Sequence, residues 1–245
     1  MHAAQLAKKV GWKEHAIHTS AFTLKAYGSA APKKTKTLTV YIEGDGLAWL
    51  SKNRPSNNPS PHVSSGLKMA IHDKKDYPVA YLARPCQFVF QEEWRNCRQE
   101  YWTNLRFSPE VIQSMNQAVT YLKKYYHAKQ LVLVGYSGGG TIATLVAARR
   151  TDVVQLVTVA AILDTDYWVK QDGLTPLYGS LNPADEWKNL ISIPQTHWVG
   201  GQDRVVPKEV AFAFAQHFPT EKKPNIKVMP NFDHVCCWVT DWMPS

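Results

Sequence analysis

The strongest constraint on the fold is an apolar run followed at once by a cluster of glycines. Leu131–Val134 is apolar throughout, which is typical of a central strand buried on both faces. The next five residues, 135–139, read Gly-Tyr-Ser-Gly-Gly, and the small, mostly apolar residues that follow predict a helix over 140–150. Small neighbours let the strand and helix pass closely while a serine on the turn points its hydroxyl outward. We therefore predict an α/β chain that presents Ser137 at the end of a buried strand.

Short apolar segments alternate with helical ones along the rest of the chain, which is typical of a mostly parallel sheet flanked by helices. We predict strands at Leu38–Ile42, Val79–Leu82, Gln155–Ala160, Thr196–Val199 and Ile226–Met229, with an early antiparallel strand inside His15–Tyr27. We predict helices from Pro109 to Leu122, behind a Ser108 cap, from Gly140 to Arg150, and after Pro207. The 245 residues fit a single α/β domain spanning 1–245.

Two stretches fit poorly as regular elements, Ala48–Ser65 and Asp164–Leu190. Loops of this length are usually functional or disordered. Both follow strand ends, where α/β folds bind their ligands. We predict that the second stretch, about 164–190, is a short cap-like insertion that shapes a pocket.

Composition argues against several classes of partner. The net charge is +8, but the basic residues come as scattered pairs such as Lys8-Lys9 and Lys123-Lys124, without interleaved aromatics. We expect no nucleic-acid partner, while a weak attraction to an anionic surface stays open. No apolar run approaches the roughly 18 residues of a membrane span, so we expect no stable membrane insertion. Metal-ligand spacing, a phosphate-cradling loop and a dinucleotide motif are also missing, so no metal or cofactor is expected.

Four cysteines bear on the cellular compartment. Cys86 and Cys97 lie in one polar, charged stretch, which is a poor place for buried thiols, so we favour a disulfide between them over free thiols. A disulfide indicates an oxidising compartment. We therefore expect a periplasmic or secreted protein, with the cytoplasm as the alternative. For Cys236 and Cys237 we favour buried free thiols over a vicinal disulfide.

A serine hydroxyl is a weak nucleophile and needs a base that an acid holds in place. Asp203 follows the predicted strand Thr196–Val199, and His234 follows the last one, so both belong at the same sheet edge as Ser137. We predict that His234 is the base and Asp203 the acid. Asp164, together with Asp166, is the main alternative acid because it follows the preceding strand.

A serine attack on a carbonyl also needs backbone donors for the oxyanion that forms. The amide of Gly138, next to the serine, should be one donor. The second should come from the loop after Leu38–Ile42, residues 43–46 with the sequence Glu-Gly-Asp-Gly. We favour the Asp45 amide, with Gly46 second.

These motifs resemble the α/β-hydrolase superfamily from Leu38 to Trp242. The resemblance rests on residues 135–139, on Gly201-Gln202-Asp203 followed by Val205-Val206-Pro207, and on Asp233-His234. Residues 41–46 and Arg84-Pro85-Cys86-Gln87 also resemble a small group of uncharacterised, often exported bacterial hydrolases, although many superfamily members have His-Gly where this chain has Glu43-Gly44.

The resemblance implies a serine hydrolase that forms an acyl-enzyme on Ser137, with Asp203 as acid and His234 as base. The expected substrate is a small acyl ester, with a thioester or an amide as the alternatives, and the expected form is a monomer. A binding protein that keeps the fold without turnover is the alternative.

Overall fold

The computed structural model describes residues 2–30, 36–51, 53–73 and 77–242. Its strands are β1 Lys13–His18, β2 Thr23–Gly28, β3 Thr37–Ile42, β4 Trp49–Ser51, β5 Arg54–Pro55, β6 Val79–Leu82, β7 Gln130–Tyr136, β8 Val153–Val159, β9 Gln195–Gly200 and β10 Asn225–Met229. Eight of them form one sheet in the order β1-β2-β6-β3-β7-β8-β9-β10, and β4 pairs with β5 in a small hairpin. All neighbours from β6 to β10 are parallel, whereas β2 is antiparallel to both β1 and β6. The predicted fold, a mostly parallel sheet flanked by helices, is confirmed.

Helices cover both faces of this sheet. They are α1 His2–Lys9, α2 Ser65–His72, α3 Pro109–Tyr125, α4 Gly138–Ala147, α5 Thr165–Gln171, α6 Trp187–Leu190 and α7 Lys208–Gln216. Along β7, Leu131 and Leu133 belong to the apolar cluster that contains α3, α4 and α7 side chains, whereas Val132 and Val134 belong to the one that contains α1 and α2 side chains. The continuous apolar run is thus explained, since successive strand residues face opposite sides and both sides are buried.

The predicted strands are observed within one or two residues of their expected ends, but the early region holds two strands instead of one. β1 and β2 form a hairpin, in which Ile17 pairs with Leu24. Every residue of β2 is buried, whereas β1 alternates buried and exposed positions in its second half. The difference follows from position, because β2 has a neighbour on each side and β1 lies at the sheet edge.

The two stretches expected to be irregular are partly regular, and this part of the prediction was wrong. The first contains the β4–β5 hairpin and ends in α2, which the sequence analysis did not predict. The second contains α5, a 3₁₀ turn at Pro183–Glu186, and α6. Its helices are short, and each is fixed by tertiary contacts of Trp168, Ala184 and Leu190, which are buried. Helices of one or two turns depend on such packing, so periodicity in the sequence gives little sign of them.

Helix starts follow the predicted signals only in part. α3 begins at Pro109 as expected, but the Ser108 side chain forms no cap hydrogen bond. No described helix is both long enough and apolar enough to cross a lipid bilayer.

Candidate active site

Ser137 lies on the turn between β7 and α4, with a left-handed φ of 52°. Residues other than glycine rarely adopt this backbone conformation, and it is maintained here because both neighbouring elements hold the turn. The Ser137 amide donates to Val159 O at 2.8 Å, and the Gly140 amide donates to Ser137 O at 2.8 Å. A side chain at Gly135 would come within 2.5 Å of the Gly140 Cα, so the close crossing of strand and helix requires glycine there.

The turn brings the serine hydroxyl to a histidine. Ser137 Oγ lies 3.0 Å from His234 Nε2, and His234 Nδ1 lies 2.8 Å from Asp203 Oδ2. Since the carboxylate accepts a hydrogen bond from the Nδ1–H, the network assigns the tautomer in which Nε2 is free to accept from the hydroxyl. The structure thus brings Ser137, His234 and Asp203 together in one hydrogen-bonded line.

The Asp203 side chain is fully buried, and backbone amides fix it in place. Its Oδ1 accepts from the Val205 amide at 2.8 Å and the Val206 amide at 2.9 Å. These bonds leave Oδ2 for His234 alone. The histidine is held from the other side, because the Tyr136 hydroxyl donates to the His234 carbonyl at 2.7 Å.

The other acids near this edge have different partners. Asp164 precedes α5, and its Oδ1 accepts from the Tyr167 amide at 3.0 Å, which makes it a helix cap. Its Oδ2 faces His217 Nε2 at 3.7 Å, not His234. The structure therefore does not bring the alternative acid to the candidate base.

Asp233 shapes the loop that carries His234. Its Oδ1 accepts from the amides of Val235 and Cys236, at 2.7 and 2.6 Å. These backbone hydrogen bonds lower the pKa of the Asp233 carboxyl. Asp233 thus orders the backbone of the loop next to the histidine.

The loop after β3 lies directly against the serine. A Cβ on Gly44 would lie 3.3 Å from the Ser137 Cβ. Among the described residues, none accepts a hydrogen bond from the Asp45 amide or from the Gly138 amide, and Gly138 is the first residue of α4, where no helical partner exists. Gly46 instead faces Pro59 and Pro61. Among the described residues, the amides of Asp45 and Gly138 therefore stay free next to the serine turn.

The Asp45 carboxylate raises an electrostatic question, since a negative charge here would oppose a developing anion. Two buried guanidinium groups compensate it: Arg84 Nη1 pairs with Oδ1, and Arg106 Nη1 pairs with Oδ2 at 3.0 Å. Burial alone would raise the pKa of Asp45, but the two arginines lower it. Both oxygens of the Asp45 carboxylate are thus paired with cations, and its charge is compensated next to Gly138.

Glu43 is also buried, and its carboxylate bonds the loop to α2 and β6. Its Oε1 accepts from the amides of Gly44 at 3.1 Å and Gly66 at 3.0 Å, and its Oε2 accepts from the Tyr81 hydroxyl at 2.9 Å. Burial raises the pKa of Glu43 in spite of these donors. The glutamate thus acts as a brace between the loop and α2.

The cysteines are all in disulfides. Cys86 is bonded to Cys97, which confirms the predicted pair. Cys236 is bonded to Cys237, so the prediction of free thiols there was wrong. Their loop is largely exposed after His234, and the burial on which the free-thiol interpretation depended is absent.

Sequence reasoning assigned no role to Arg84, Gln87 or Arg106, although each contacts the loop after β3. Gln87 Nε2 donates to Gly44 O at 3.0 Å. The only signal for two of them was the phrase Arg84-Pro85-Cys86-Gln87, which was noted as part of a resemblance and not as a site.

A sequence family and several solved structures match this chain. A sequence profile of the family described as serine hydrolase (FSH1) matches residues 69–230. No curated protein matches the sequence.

Solved structures resemble the chain at low identity. Est1E from Butyrivibrio proteoclasticus aligns with a TM-score of 0.64 and 16% identity over 93% of each chain. An α/β serine hydrolase without a lid from Xanthomonas campestris aligns with a TM-score of 0.57 and 13% identity over 91% of this chain and 85% of that one. An acylaminoacyl peptidase from Pyrococcus horikoshii gives a TM-score of 0.66 and 12% identity over 94% of this chain, which spans 39% of the peptidase. At such identities the likeness is one of fold.

The fold and the family profile agree with the motifs that suggested the superfamily. The profile covers well over half of the chain. The protein therefore belongs to the serine hydrolase (FSH1) family and has the α/β-hydrolase fold.

Proposed function

We propose that the protein hydrolyses carboxylic esters or thioesters through an acyl-enzyme on Ser137. The observation that carries the proposal is the unbroken relay from the Ser137 hydroxyl through His234 to Asp203. Membership of a serine hydrolase family supports the same chemistry.

The relay suits proton transfer in both halves of the reaction. In the first, Ser137 Oγ attacks the acyl carbonyl while His234 Nε2 takes its proton, and the imidazolium then gives that proton to the departing alcohol or thiol. In the second, Nε2 takes a proton from the water that attacks the acyl carbonyl; the bond between that carbon and Ser137 Oγ then breaks, and the imidazolium returns the proton to Oγ as the acid leaves. Asp203 stabilises the imidazolium in each half.

The amides of Gly138 and Asp45 would bind the carbonyl oxygen as its charge develops. Such donors act mainly on the transition state, and losing one typically lowers kcat by about 10² to 10³. The paired arginines support this role, because they compensate the carboxylate of the residue that supplies one of the amides.

A fluorophosphonate probe tests the nucleophile. We expect the folded protein to gain one adduct at Ser137 by intact mass and peptide mapping, and Ser137→Ala to gain none. Ser114→Ala is the matched control, since Ser114 is a buried serine on α3 with no hydrogen-bond partner among the described residues. An unlabelled folded wild type would instead favour a binding protein without turnover.

A substrate panel tests the bond. Nitrophenyl esters of graded acyl length, the matching thioesters and a matching anilide should be compared at one acyl length. We expect turnover of the ester and thioester and little of the anilide. Preferential cleavage of the anilide would contradict the ester assignment.

We also propose an exported monomer whose 164–190 segment caps the substrate site. The Cys86–Cys97 disulfide supports an oxidising compartment. Ser180 Oγ donates to Asn104 O at 2.6 Å, which ties the segment to the stretch carrying Arg106. Thiol counting on protein purified from each cell fraction tests the export, and light scattering tests the monomeric state. Deletion of the tip of the segment should change chain-length preference if it is a cap.

A further inference from the structure

The buried side chain of Gln87 contacts the loop that carries the proposed oxyanion donor. Its Nε2 donates to the Gly44 carbonyl at 3.0 Å and lies 3.4 Å from Pro59 O, while its Oε1 accepts from the Arg84 amide at 3.1 Å. Because Nε2 faces two carbonyl oxygens and Oε1 faces a backbone N–H, only this orientation of the Gln87 side-chain amide satisfies all three.

The bond to Gly44 O controls the direction of the Asp45 amide. The Gly44 carbonyl and the Asp45 N–H belong to one planar trans peptide group, in which they point in opposite directions. Gln87 lies on the carbonyl side. The serine turn packs against the same residues, since Gly44 lies against Ser137 and the Asp45 side chain lies against Gly138. Holding the carbonyl therefore fixes the direction of the Asp45 N–H, which points away from Gln87.

We propose that Gln87 is a positioning residue for the oxyanion site: by binding Gly44 O it keeps the Asp45 amide aimed at the substrate carbonyl. The inference rests on the proposed acyl-transfer function. Gln87 touches no reacting atom in this scheme, and it acts through the Gly44–Asp45 peptide.

The need for such a contact follows from the loop itself. Gly44 has no side chain, so its peptide rotates more easily than others would. A flipped peptide would present the Gly44 carbonyl oxygen, a partial negative charge, where the N–H should be. Gln87 opposes this flip with a buried hydrogen bond.

The segment that carries Gln87 is itself anchored. Cys86, its neighbour, is bonded to Cys97, and Arg84 pairs with the Asp45 carboxylate. The segment 84–87 thus holds the loop at two points, one on the backbone of Gly44 and one on the side chain of Asp45. Two such contacts restrict the movement of the loop and keep the Asp45 N–H in the direction that the proposed catalysis needs.

The test compares Gln87→Met with Gln195→Met. Gln195 is a matched control, because it is also buried and its Nε2 donates to a backbone carbonyl, Leu190 O, at 3.1 Å, but it lies at the start of β9, the sheet end away from Ser137. We expect kcat for a nitrophenyl ester to fall about 10- to 100-fold in Gln87→Met, somewhat less than the loss of a donor. KM should stay within about threefold, because a ground-state carbonyl uses the donor weakly. Gln195→Met should keep the wild-type kcat.

Two readouts separate positioning from general damage. An alkylboronic acid, which forms a tetrahedral adduct on the serine, should bind Gln87→Met more weakly by the same factor as kcat/KM falls. In Gln87→Glu the carboxylate cannot donate to Gly44 O, whereas the protonated acid can. The ratio of variant to wild-type kcat should therefore rise as pH falls, and it provides the answer if Gln87→Met does not fold.

The outcomes distinguish this inference from the function beneath it. Ester turnover by the wild type with unchanged kcat in a folded Gln87→Met, or a flat pH ratio in Gln87→Glu, would overturn the positioning role and leave the proposed function standing. Absence of turnover and of Ser137 labelling in the wild type would overturn both.

Discussion

His197 gives a quantitative test of the buried core that is independent of catalysis. It lies on β9 with its ring fully buried against Phe214, at a centroid distance of 5.5 Å. Its Nδ1 lies 2.8 Å from Thr158 Oγ1, and no described residue bonds its Nε2. With no carboxylate beside it, burial lowers the pKa of His197 from 6.5 to about 3. The ring stays neutral in the folded protein over the whole neutral and mildly acidic range.

The sign and size of the effect on stability follow by linkage. Below pH 6.5 the unfolded chain binds a proton at this histidine that the folded chain does not. Its contribution is therefore complete above about pH 6.5 and is lost as pH falls through that value towards the folded pKa of about 3. Between about pH 7.5 and about pH 5, these two pKa values predict a loss of about 2 kcal/mol in the free energy of unfolding.

Urea unfolding of the wild type and His197→Asn at these two pH values measures the loss. The asparagine does not titrate and keeps a polar atom for Thr158, so its pH dependence should be smaller than that of the wild type by about 2 kcal/mol. His18→Asn is the matched control, because His18 is exposed on β1 with its Nδ1 3.3 Å from Thr23 Oγ1. It should follow the wild type. Equal pH dependence of the wild type and His197→Asn would refute the burial argument.

Three further predictions concern the site. Replacing Cys86 and Cys97 by serine opens a loop with a sequence separation of 11, and loop-closure entropy then predicts a loss of about 2.8 kcal/mol in urea unfolding; an unchanged midpoint would contradict it. Gly138→Ala should lower kcat by about 10² without unfolding the protein, because its methyl would come within 2.7 Å of a guanidinium nitrogen; wild-type kcat would show that the loop yields freely. Asp203→Asn should lower kcat by about 10⁴, whereas Asp164→Asn should not; the reverse result would exchange their roles.

The sheet could be predicted because its strands are buried on both faces. An apolar run such as Leu131–Val134 has few other stable placements, and the helix–strand alternation sets the order of elements. The serine turn could also be predicted, because close backbone approach requires the glycines around Ser137. The placement of Asp203 and His234 at the same sheet edge as Ser137 could then be predicted, because each follows the end of a parallel strand.

Elements that depend on contacts between residues distant in sequence could not be predicted. α5 is two turns long, and its start is stabilised by Asp164, which had instead been weighed as a catalytic acid. The same carboxylate after a strand can cap a helix or orient a histidine, and residues nearby in sequence do not decide between them. The amides of Val205 and Val206 make the difference, because they hold Asp203 in the position that orients the histidine.

The oxyanion loop shows why its charge could not be predicted from its own sequence. A carboxylate about 4 Å from a developing oxyanion would oppose it by about 4 kcal/mol in a partly screened site, or roughly 10³ in rate. Asp45 escapes this penalty through Arg84 and Arg106, which are 39 and 61 residues away in sequence. A backbone donor makes no demand on its own side chain, so the hole does not explain an aspartate at position 45. Its carboxylate instead fastens the loop to two cations, and this pairing compensates the charge with which an isolated carboxylate would oppose the proposed transition state.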